Sequence, residues 1–117
     1  MPHIYHITTQ FDWQSQKDGA TFTAPSLDSD GFIHASMIDQ IVDTANAIFA
    51  GYDDLVIQVI DTAKLVAEVK IEDTYGHGSF PHIYGPIETQ SVIRAIDLPP
   101  NADGTFALPD AIQMVNG

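Results

Sequence analysis

The order of the apolar patterns along the chain limits the fold more than any other feature of the sequence. Residues 3–8 alternate like a strand, residues 37–50 place apolar side chains at three- and four-residue steps like a helix, and residues 55–60 form an almost continuous apolar run of strand length. Further strand-like runs follow at 67–72, 80–87 and 91–98. Because the strands cluster in the second half without regular βαβ alternation, the pattern predicts an α+β fold, with two main helices on a mixed or split antiparallel sheet.

Local signals mark the ends of the two predicted helices. A pattern close to a capping box at residues 9–12 predicts a short helix over 11–17. The longer helix, over 37–50, has Ser36 as its expected N-cap and Gly51 as its expected C′ residue.

Three further segments carry mixed signals. Residues 24–31 combine proline, serine, aspartate and glycine, and they are predicted to be an irregular loop. Residues 80–87 carry two prolines, which favour an edge strand or a loop over a central strand. Residues 106–108 are predicted to form a last short strand, ahead of a loosely held tail at 110–117.

The length and charge of the chain limit what it can bind. At 117 residues it is predicted to be a single domain over 1–117, with a core over 3–109. The chain has no cysteine, which excludes disulfides, thiolate metal sites and cysteine nucleophiles. Its net charge of −12, with four Lys and Arg against sixteen Asp and Glu, argues against nucleic acid and anionic membranes as partners. With no signal-peptide pattern and no apolar run near the ~20 residues that span a bilayer, a cytoplasmic protein is expected.

Three histidines lie inside strand-like apolar runs, and they are His6, His34 and His82. A buried imidazole must find a hydrogen-bond partner, a ligand or a metal. Alternation places Thr8 on the strand face of His6, and Ser36 on the strand face of His34. If these two strands are adjacent, their imidazoles and hydroxyls line a cleft that suits a neutral polar ligand.

Two other segments contribute candidate site residues. His82 and Tyr84 lie in a segment that two prolines stiffen, which suits either a site wall or a well-packed turn. Ser26 and Asp28 lie in the loop that leads into the strand of His34, and functional residues often occupy such loops. At neutral pH the sequence allows both the charged and the neutral form of the histidines, and the acidic background shifts them towards the charged form.

Several well-known short motifs are absent from the sequence. There is no GxGxxG or GxxxxGK[ST] nucleotide fingerprint and no GxSxG nucleophile elbow. Asp28 and Asp30 lack the glutamate that closes a calcium-binding loop, and the histidines lack the HxH and HExxH spacings. No metal ligand is therefore predicted, although convergence of His6, His34 and His82 in space would create a metal site.

Several of these segments together resemble a known family. Residues 5–8 (YHIT), 24–36 (APSLDSDGFIHAS) and 80–86 (FPHIYGP) are similar to the bacterial family called domain of unknown function 952, and the resemblance covers residues 3–109. The fold of that family is similar to that of the ADP-ribosyltransferases, in which a split β-sheet forms a cleft for NAD. The resemblance therefore implies an ADP-ribosylation-like split sheet in this chain.

Within that group, the chain is similar to the branch that carries one histidine on each of two core strands, as in RNA 2′-phosphotransferases. The resemblance implies that His6 contacts the ribose on the nicotinamide side and that His34 helps to hold the dinucleotide. Thr8 and Ser36 take the neighbouring hydroxyl positions. The third motif of such enzymes often supplies a catalytic glutamate, and in this chain nothing in the setting of Glu88 marks it for that role.

Three hypotheses on function follow from the residues and the resemblance. The first is an ADP-ribosyltransferase-like enzyme that binds NAD or a related ADP-ribosyl compound and cleaves or transfers at the nicotinamide–ribose bond. The second is a non-catalytic module that binds a small molecule in the same cleft, and the third is a metal enzyme with histidine ligands. The predicted catalytic residues are His6, His34 and His82, and the predicted ligand contacts are Thr8, Ser26, Asp28, Ser36 and Tyr84.

Overall fold

Eight strands, three α-helices and a helical segment at 110–112 lie in the part of the chain that the computed structural model describes, residues 3–74, 76 and 78–112. The strands are β1 (His3–Thr9), β2 (Thr21–Phe22), β3 (Ile33–His34), β4 (Leu55–Asp61), β5 (Glu68–Asp73), β6 (Ser79–Tyr84), β7 (Ile87–Glu88) and β8 (Val92–Leu98). The helices are α1 (Gln10–Gln16), α2 (Pro25–Asp30) and α3 (Ile41–Ile48), with single turns of 3₁₀-helix at Thr62–Lys64 and Thr89–Ser91.

Two three-stranded antiparallel sheets position the rest of the molecule. The first has the order β1-β4-β8 and the second the order β3-β6-β5, while β2 and β7 pair as a short ribbon. Among the described residues one bridge joins the two sheets, where the backbones of Tyr5 and Ser36 exchange N–H···O hydrogen bonds of 2.9 and 2.7 Å. Because β1 and β3 pair nowhere else in this part of the chain, the combined sheet is split along their line. The predicted α+β class with antiparallel sheets is confirmed.

The first sheet is buried on both faces. Its middle strand, β4, is the continuous apolar run of the sequence, which needs cover on both sides. One face, carrying Tyr5 and Ile7, packs against α3 through Ile41 and Ala45. The opposite face packs against α1, the ribbon and the second sheet. The buried side chains at this contact are Ile4, Trp13, Phe22, Ile33, Val56, Ile60 and Ile83.

Helix α1 begins where the sequence predicts, whereas α3 does not. Thr9 caps α1, and its Oγ1 accepts the N–H of the third helical residue at 3.1 Å. Helix α3 is shorter than the predicted 37–50, and Gln40 precedes its first turn. Ser36 is not its N-cap, because the Ser36 backbone is held in the bridge to β1.

Residues 24–31, predicted to be an irregular loop, form helix α2 instead. Pro25 occupies its first turn, and Gly31 follows its last residue in the left-handed conformation at φ +86°. Proline at a helix start and glycine just after a helix end are helix signals as well as turn signals. The same residues therefore support both interpretations, and the interpretation as a loop is wrong.

Strand β6 lies in the middle of the second sheet, although its proline predicts an edge. Pro81 pairs with Ile71 of β5 on one side, and on the other its carbonyl accepts the N–H of Ala35 at 3.0 Å. In an antiparallel strand the nitrogen and carbonyl of one residue face the same edge, so the missing donor of Pro81 faces the end of β3. The proline therefore costs one bond, at the point where β3 leaves the sheet to meet β1.

The segment after β8 reaches the core without forming the strand predicted at 106–108. Asn46 of α3 bonds the backbone of Phe106 instead, since its Oδ1 accepts the N–H at 2.8 Å and its Nδ2 donates to the carbonyl at 3.3 Å. Residues 110–112 of the predicted loosely held tail are helical, and Ile112 is fully buried in the core, so that prediction is wrong for these residues. Residues 113–117 lie outside the described part of the chain, and the single-domain boundaries stay a prediction. No helix in the described ranges combines the length and the apolar character needed to cross a membrane.

Candidate functional site

A cavity of about 890 Å³ opens where β1 and β3 separate. Its walls come from β1, the start of α2, β3, α3 and the residues that follow α3. The volume falls within the roughly 300–1,000 Å³ typical of small-molecule sites. The split in the sheet therefore creates room for a ligand beside the strand that carries His6.

Five of the residues predicted to form a site line this cavity. They are His6, Thr8, Ser26, His34 and Ser36. The two histidine strands are neighbours at the bridge between the sheets, as a shared cleft requires. The catalytic and binding roles of these side chains stay predictions.

The two imidazoles reach the cavity from opposite faces of the sheet. Tyr5 and Ser36 face each other across the bridge, so their side chains share one face, and alternation places His34 on that face too. His6 and Thr8 lie on the other face. The cavity contacts the side chains on both faces because it occupies the gap between β1 and β3.

His6 is almost fully buried, and one of its ring nitrogens is free. Only 7% of the residue is exposed. Its Nδ1 lies 2.7 Å from Oε1 of Gln58, the facing residue on β4, so Nδ1 carries the proton and donates it. Nε2 then holds a lone pair, and no described residue donates a hydrogen bond to it. This lone pair can accept a hydrogen bond from a ligand hydroxyl or amide in the cavity.

Burial lowers the pKa of His6 from 6.5 to about 4. The loss of water is the largest cause; the hydrogen bond with Gln58 opposes it, and the nearby His34 adds to it. His6 is therefore neutral at pH 7. Of the two forms that the sequence allows, His6 takes the neutral one, because the acidic background does not offset its lost hydration.

His34 is paired with a carboxylate at the end of α2. Its Nε2 lies 2.8 Å from Oδ2 of Asp30, and nearly half of each side chain is exposed. That hydrogen bond holds the pKa of Asp30 below its ordinary value. The left-handed Gly31 turns the chain between α2 and β3 and so places Asp30 beside His34. The anionic carboxylate orients the imidazole of His34.

His82 lies on the outer face of the second sheet and has partners at both ring nitrogens. Its Nδ1 donates to Oε1 of Glu72 at 2.9 Å, and its Nε2 lies 3.2 Å from Oγ1 of Thr74. The ring of Phe32 stacks on it, with 4.0 Å between centroids. His82 is 3% exposed and is not among the described residues that line the cavity. These contacts fit the well-packed alternative better than the site wall.

The other two predicted ligand contacts also lie outside the described lining of the cavity. Tyr84 donates its hydroxyl to the same Glu72 oxygen that His82 contacts, and the Nζ of Lys70 lies 4.9 Å from its ring centroid. The Glu72 carboxylate raises the pKa of Tyr84, and the hydrogen bonds from Tyr84 and His82 lower the pKa of Glu72. Asp28 is exposed in the first turn of α2.

The sequence-based predictions missed three side chains that hold the histidines. Gln58 was not singled out, although a polar residue inside a continuous apolar run is itself a signal. Its Nε2 is buried with no hydrogen-bond partner among the described residues. The sequence presents Asp30 as a turn residue or a possible metal ligand, and it places Glu72 at the end of the strand-like run 67–72 without marking it as a site residue. The strand pairing that places Glu72 near His82 is not visible in the sequence.

The edge of β1 that faces the cavity carries free backbone groups. Because the N–H and C=O of Tyr5 bond Ser36, alternation directs the N–H and C=O of Ile7 to the same edge. No described strand pairs with that edge beyond the bridge, and Ile7 lines the cavity. The wall therefore offers one donor and one acceptor side by side, next to His6.

The charge of the cavity wall is negative. Asp12 and Asp43 line it, and none of its described lining residues is a lysine or an arginine. Within residues 3–74, 76 and 78–112, no group of three or more histidine and carboxylate side chains is placed to hold a metal ion. The wall thus combines neutral polar groups, aromatic rings and carboxylates.

Comparison with known proteins gives a family and a close structural match. The family model described as protein of unknown function (DUF952) matches residues 7–95. The crystal structure of protein CC0527 from Caulobacter crescentus is 33% identical in sequence, with 95% of this chain and 98% of that chain covered at a TM-score of 0.84. Its solution NMR structure gives 33% identity, coverage of 97% and 99%, and a TM-score of 0.82. Among curated proteins the search found no significant match.

Proposed function

We propose that this chain, which belongs to the DUF952 family, binds NAD or a related ADP-ribosyl compound in the cavity between β1 and β3 and acts at its nicotinamide–ribose bond. The observation that carries the proposal is the free Nε2 of the buried, neutral His6 on the wall of a ligand-sized cavity. The resemblance of its two histidine strands to those of ADP-ribosyltransferases suggests the ligand class.

The free edge of β1 suits the carboxamide of nicotinamide. A primary carboxamide presents an N–H donor and a carbonyl acceptor side by side. The C=O and N–H of Ile7 are the matching pair, and a strand edge holds them rigidly. The aromatic rings of Tyr5 and Phe80 line the same cavity and offer apolar cover for the pyridine ring.

The ribose fits between the histidine strands in the proposed complex. Its hydroxyls can donate to Nε2 of His6 and exchange hydrogen bonds with Thr8 and Ser26. A neutral imidazole is the right acceptor for a hydroxyl proton, because a charged one has no lone pair. The pKa of about 4 keeps His6 in that state across the physiological range.

The proposed reaction breaks the bond between the ribose C1 and the ring nitrogen of nicotinamide. The electron pair of that bond goes to the nitrogen, and the positive charge moves to the ribose as an oxocarbenium-like centre. The Asp12 and Asp43 carboxylates of the wall stabilise this charge. Water or an acceptor hydroxyl then adds to C1 and loses its proton to the Asp30–His34 pair, which acts as the base in the proposed step.

The test measures both binding and nicotinamide release. Saturation-transfer NMR is run with NAD, ADP-ribose and nicotinamide, and free nicotinamide is followed by chromatography after incubation with NAD. His6→Asn keeps a donor for Gln58 but removes Nε2, and we expect at least about tenfold weaker binding. His3→Asn, at the far end of the same strand, is the matched control and should bind like the unaltered chain. Equal binding by the His6 variant, or no binding of any of the three compounds, would overturn the proposal.

A non-catalytic binding module is the second candidate, and the positions of the glutamates favour it. Glu72 is engaged by His82 and Tyr84, and Glu88 accepts the backbone N–H of Val66 at 2.9 Å. No glutamate is among the described residues that line the cavity. Saturable binding of NAD without any release of nicotinamide would support this second function over the first.

A further inference from the structure

No lysine or arginine is among the described residues that line the cavity. The chain's four lysine and arginine side chains lie elsewhere in the fold. Lys17 follows α1, Lys64 ends a 3₁₀ turn, Lys70 lies over the ring of Tyr84, and Arg94 is on β8. Strand β8 is at the opposite edge of the first sheet from β1. A pyrophosphate in the cavity would therefore meet no lysine or arginine among the described lining residues.

The helix ends do not replace the missing cations. Backbone N–H groups at helix N-termini are the usual alternative for binding a phosphate. All three helices carry an aspartate in the first turn, Asp12 in α1, Asp28 in α2 and Asp43 in α3. Helix α2 also begins with Pro25, which has no N–H to donate. These carboxylates complement the helix dipoles and repel a bound anion.

The same wall favours a positive ring. Asp12 and Asp43 supply negative potential, and Phe49, Tyr52 and Phe80 supply aromatic faces for a cation. The nicotinamide ring of an N-riboside carries one positive charge. The free Nε2 of His6 provides a buried, uncharged acceptor for the attached ribose.

We propose that the cavity selects N-ribosylpyridinium cations that carry no phosphate over their phosphorylated relatives, including the dinucleotide itself. The inference rests on the proposed function and narrows its ligand class. The nicotinamide–ribose unit is the part that the wall recognises. A phosphate attached to the ribose lowers affinity, because it brings negative charge towards carboxylates and meets no lysine or arginine among the described lining residues.

The experiment is a calorimetric titration at one fixed ionic strength with five probes. They are nicotinamide riboside, its uncharged dihydro form, nicotinamide mononucleotide, NAD and ADP-ribose. We expect the riboside to bind at least about tenfold more tightly than the mononucleotide and NAD. We also expect Asp43→Asn to weaken the riboside about threefold while leaving the dihydro form unchanged. Asp39→Asn, an exposed acid just before α3 that is not among the described lining residues, is the matched control.

The outcomes separate this inference from the proposed function. Tighter binding of the riboside, with the charge-dependent loss in Asp43→Asn, supports selection of the phosphate-free cation. Equal or tighter binding of NAD, the mononucleotide or ADP-ribose overturns the inference and leaves the proposed function standing. If none of the five probes binds, the proposed function is overturned and the inference falls with it.

Discussion

The two buried histidines, His6 on β1 and His82 on β6, have similar sequence surroundings and different structural situations. Both lie within apolar strand segments, and their residues are 7% and 3% exposed. His82 has partners at both ring nitrogens and a stacked aromatic ring. His6 has one hydrogen-bond partner and an edge-to-face contact with Phe22, and its second nitrogen is free at the cavity wall. Burial of a histidine therefore marks a possible site only where its hydrogen bonds are incomplete.

The partners of the two imidazoles also differ in charge. Glu72 is a carboxylate, and it accepts the hydrogen bond from Nδ1 of His82 at 2.9 Å. Gln58 is a neutral amide, which accepts a hydrogen bond but does not compensate for a charge. Burial accordingly lowers the pKa of His6 to about 4. His6, whose partner is neutral, thus keeps an acceptor nitrogen at neutral pH.

The largest expected effect is on the packed histidine. His82→Ala removes a buried ring, its stack on Phe32 and two hydrogen bonds, so the free energy of unfolding should fall by about 3–4 kcal/mol. His34→Ala is the matched control, since His34 lies directly opposite on β3 but its side chain is 43% exposed. Urea denaturation measures both. A loss below about 1 kcal/mol in His82→Ala would contradict the structural role of His82.

The sequence predicted the first sheet well because its patterns are strong and local. The apolar run at 55–60 became the middle strand, and the hydroxyl of Thr9 caps α1 as its position predicts. The predictions of a loop at residues 24–31 and of an edge position for Pro81 were wrong for different reasons. Proline and glycine serve helix ends and turns alike, and the tolerance of a central proline depends on where the neighbouring strand ends.

The candidate site was predictable only in part. His6, Thr8, Ser26, His34 and Ser36 reach one cavity, and the sequence singles out each of them. The sequence does not show which histidine has a free nitrogen, because that depends on partners from other strands. The bridge that splits the sheet is a single pair of residues, and no sequence pattern marks it.

The next largest effect concerns His6, and it is tested through the pH dependence of the free energy of unfolding. Between pH 6.5 and about 4 the unfolded chain binds a proton at His6 that the folded chain does not, so stability should be lost as pH falls through this window. The loss attributable to His6 should reach about 3 kcal/mol by pH 4. Because carboxylates also titrate there, the measured quantity is the difference in slope between the unaltered chain and His6→Asn. Identical slopes in denaturation series from pH 7.5 to 4 would contradict a neutral, buried His6.

A smaller loss of stability is expected when the ring of Phe32, which stacks on His82, is replaced. Phe32→Leu keeps the apolar volume but loses the stacking on His82, which should cost about 1 kcal/mol. Phe80→Leu is the matched control on the same sheet face, because Phe80 has no ring contact with His82 among the described residues. The two variants are compared by thermal and urea unfolding. Equal losses in both would mean that the stack on His82 contributes nothing specific.

The smallest expected effect is a change in the pKa of Tyr84, which tests whether the Glu72 carboxylate acts on its neighbours on the outer face of the second sheet. The carboxylate raises the pKa of Tyr84, because ionising the phenol would place a second negative charge beside it and break their hydrogen bond. In Glu72→Gln the pKa of Tyr84 should therefore fall back towards 10.0. Absorbance at alkaline pH reports tyrosine ionisation, and subtracting the curve of Tyr84→Phe isolates this residue from the other tyrosines. An unchanged titration of Tyr84 in Glu72→Gln would mean that the carboxylate does not raise the pKa of Tyr84, and it would contradict the hydrogen-bonded cluster in which Glu72 holds both Tyr84 and His82.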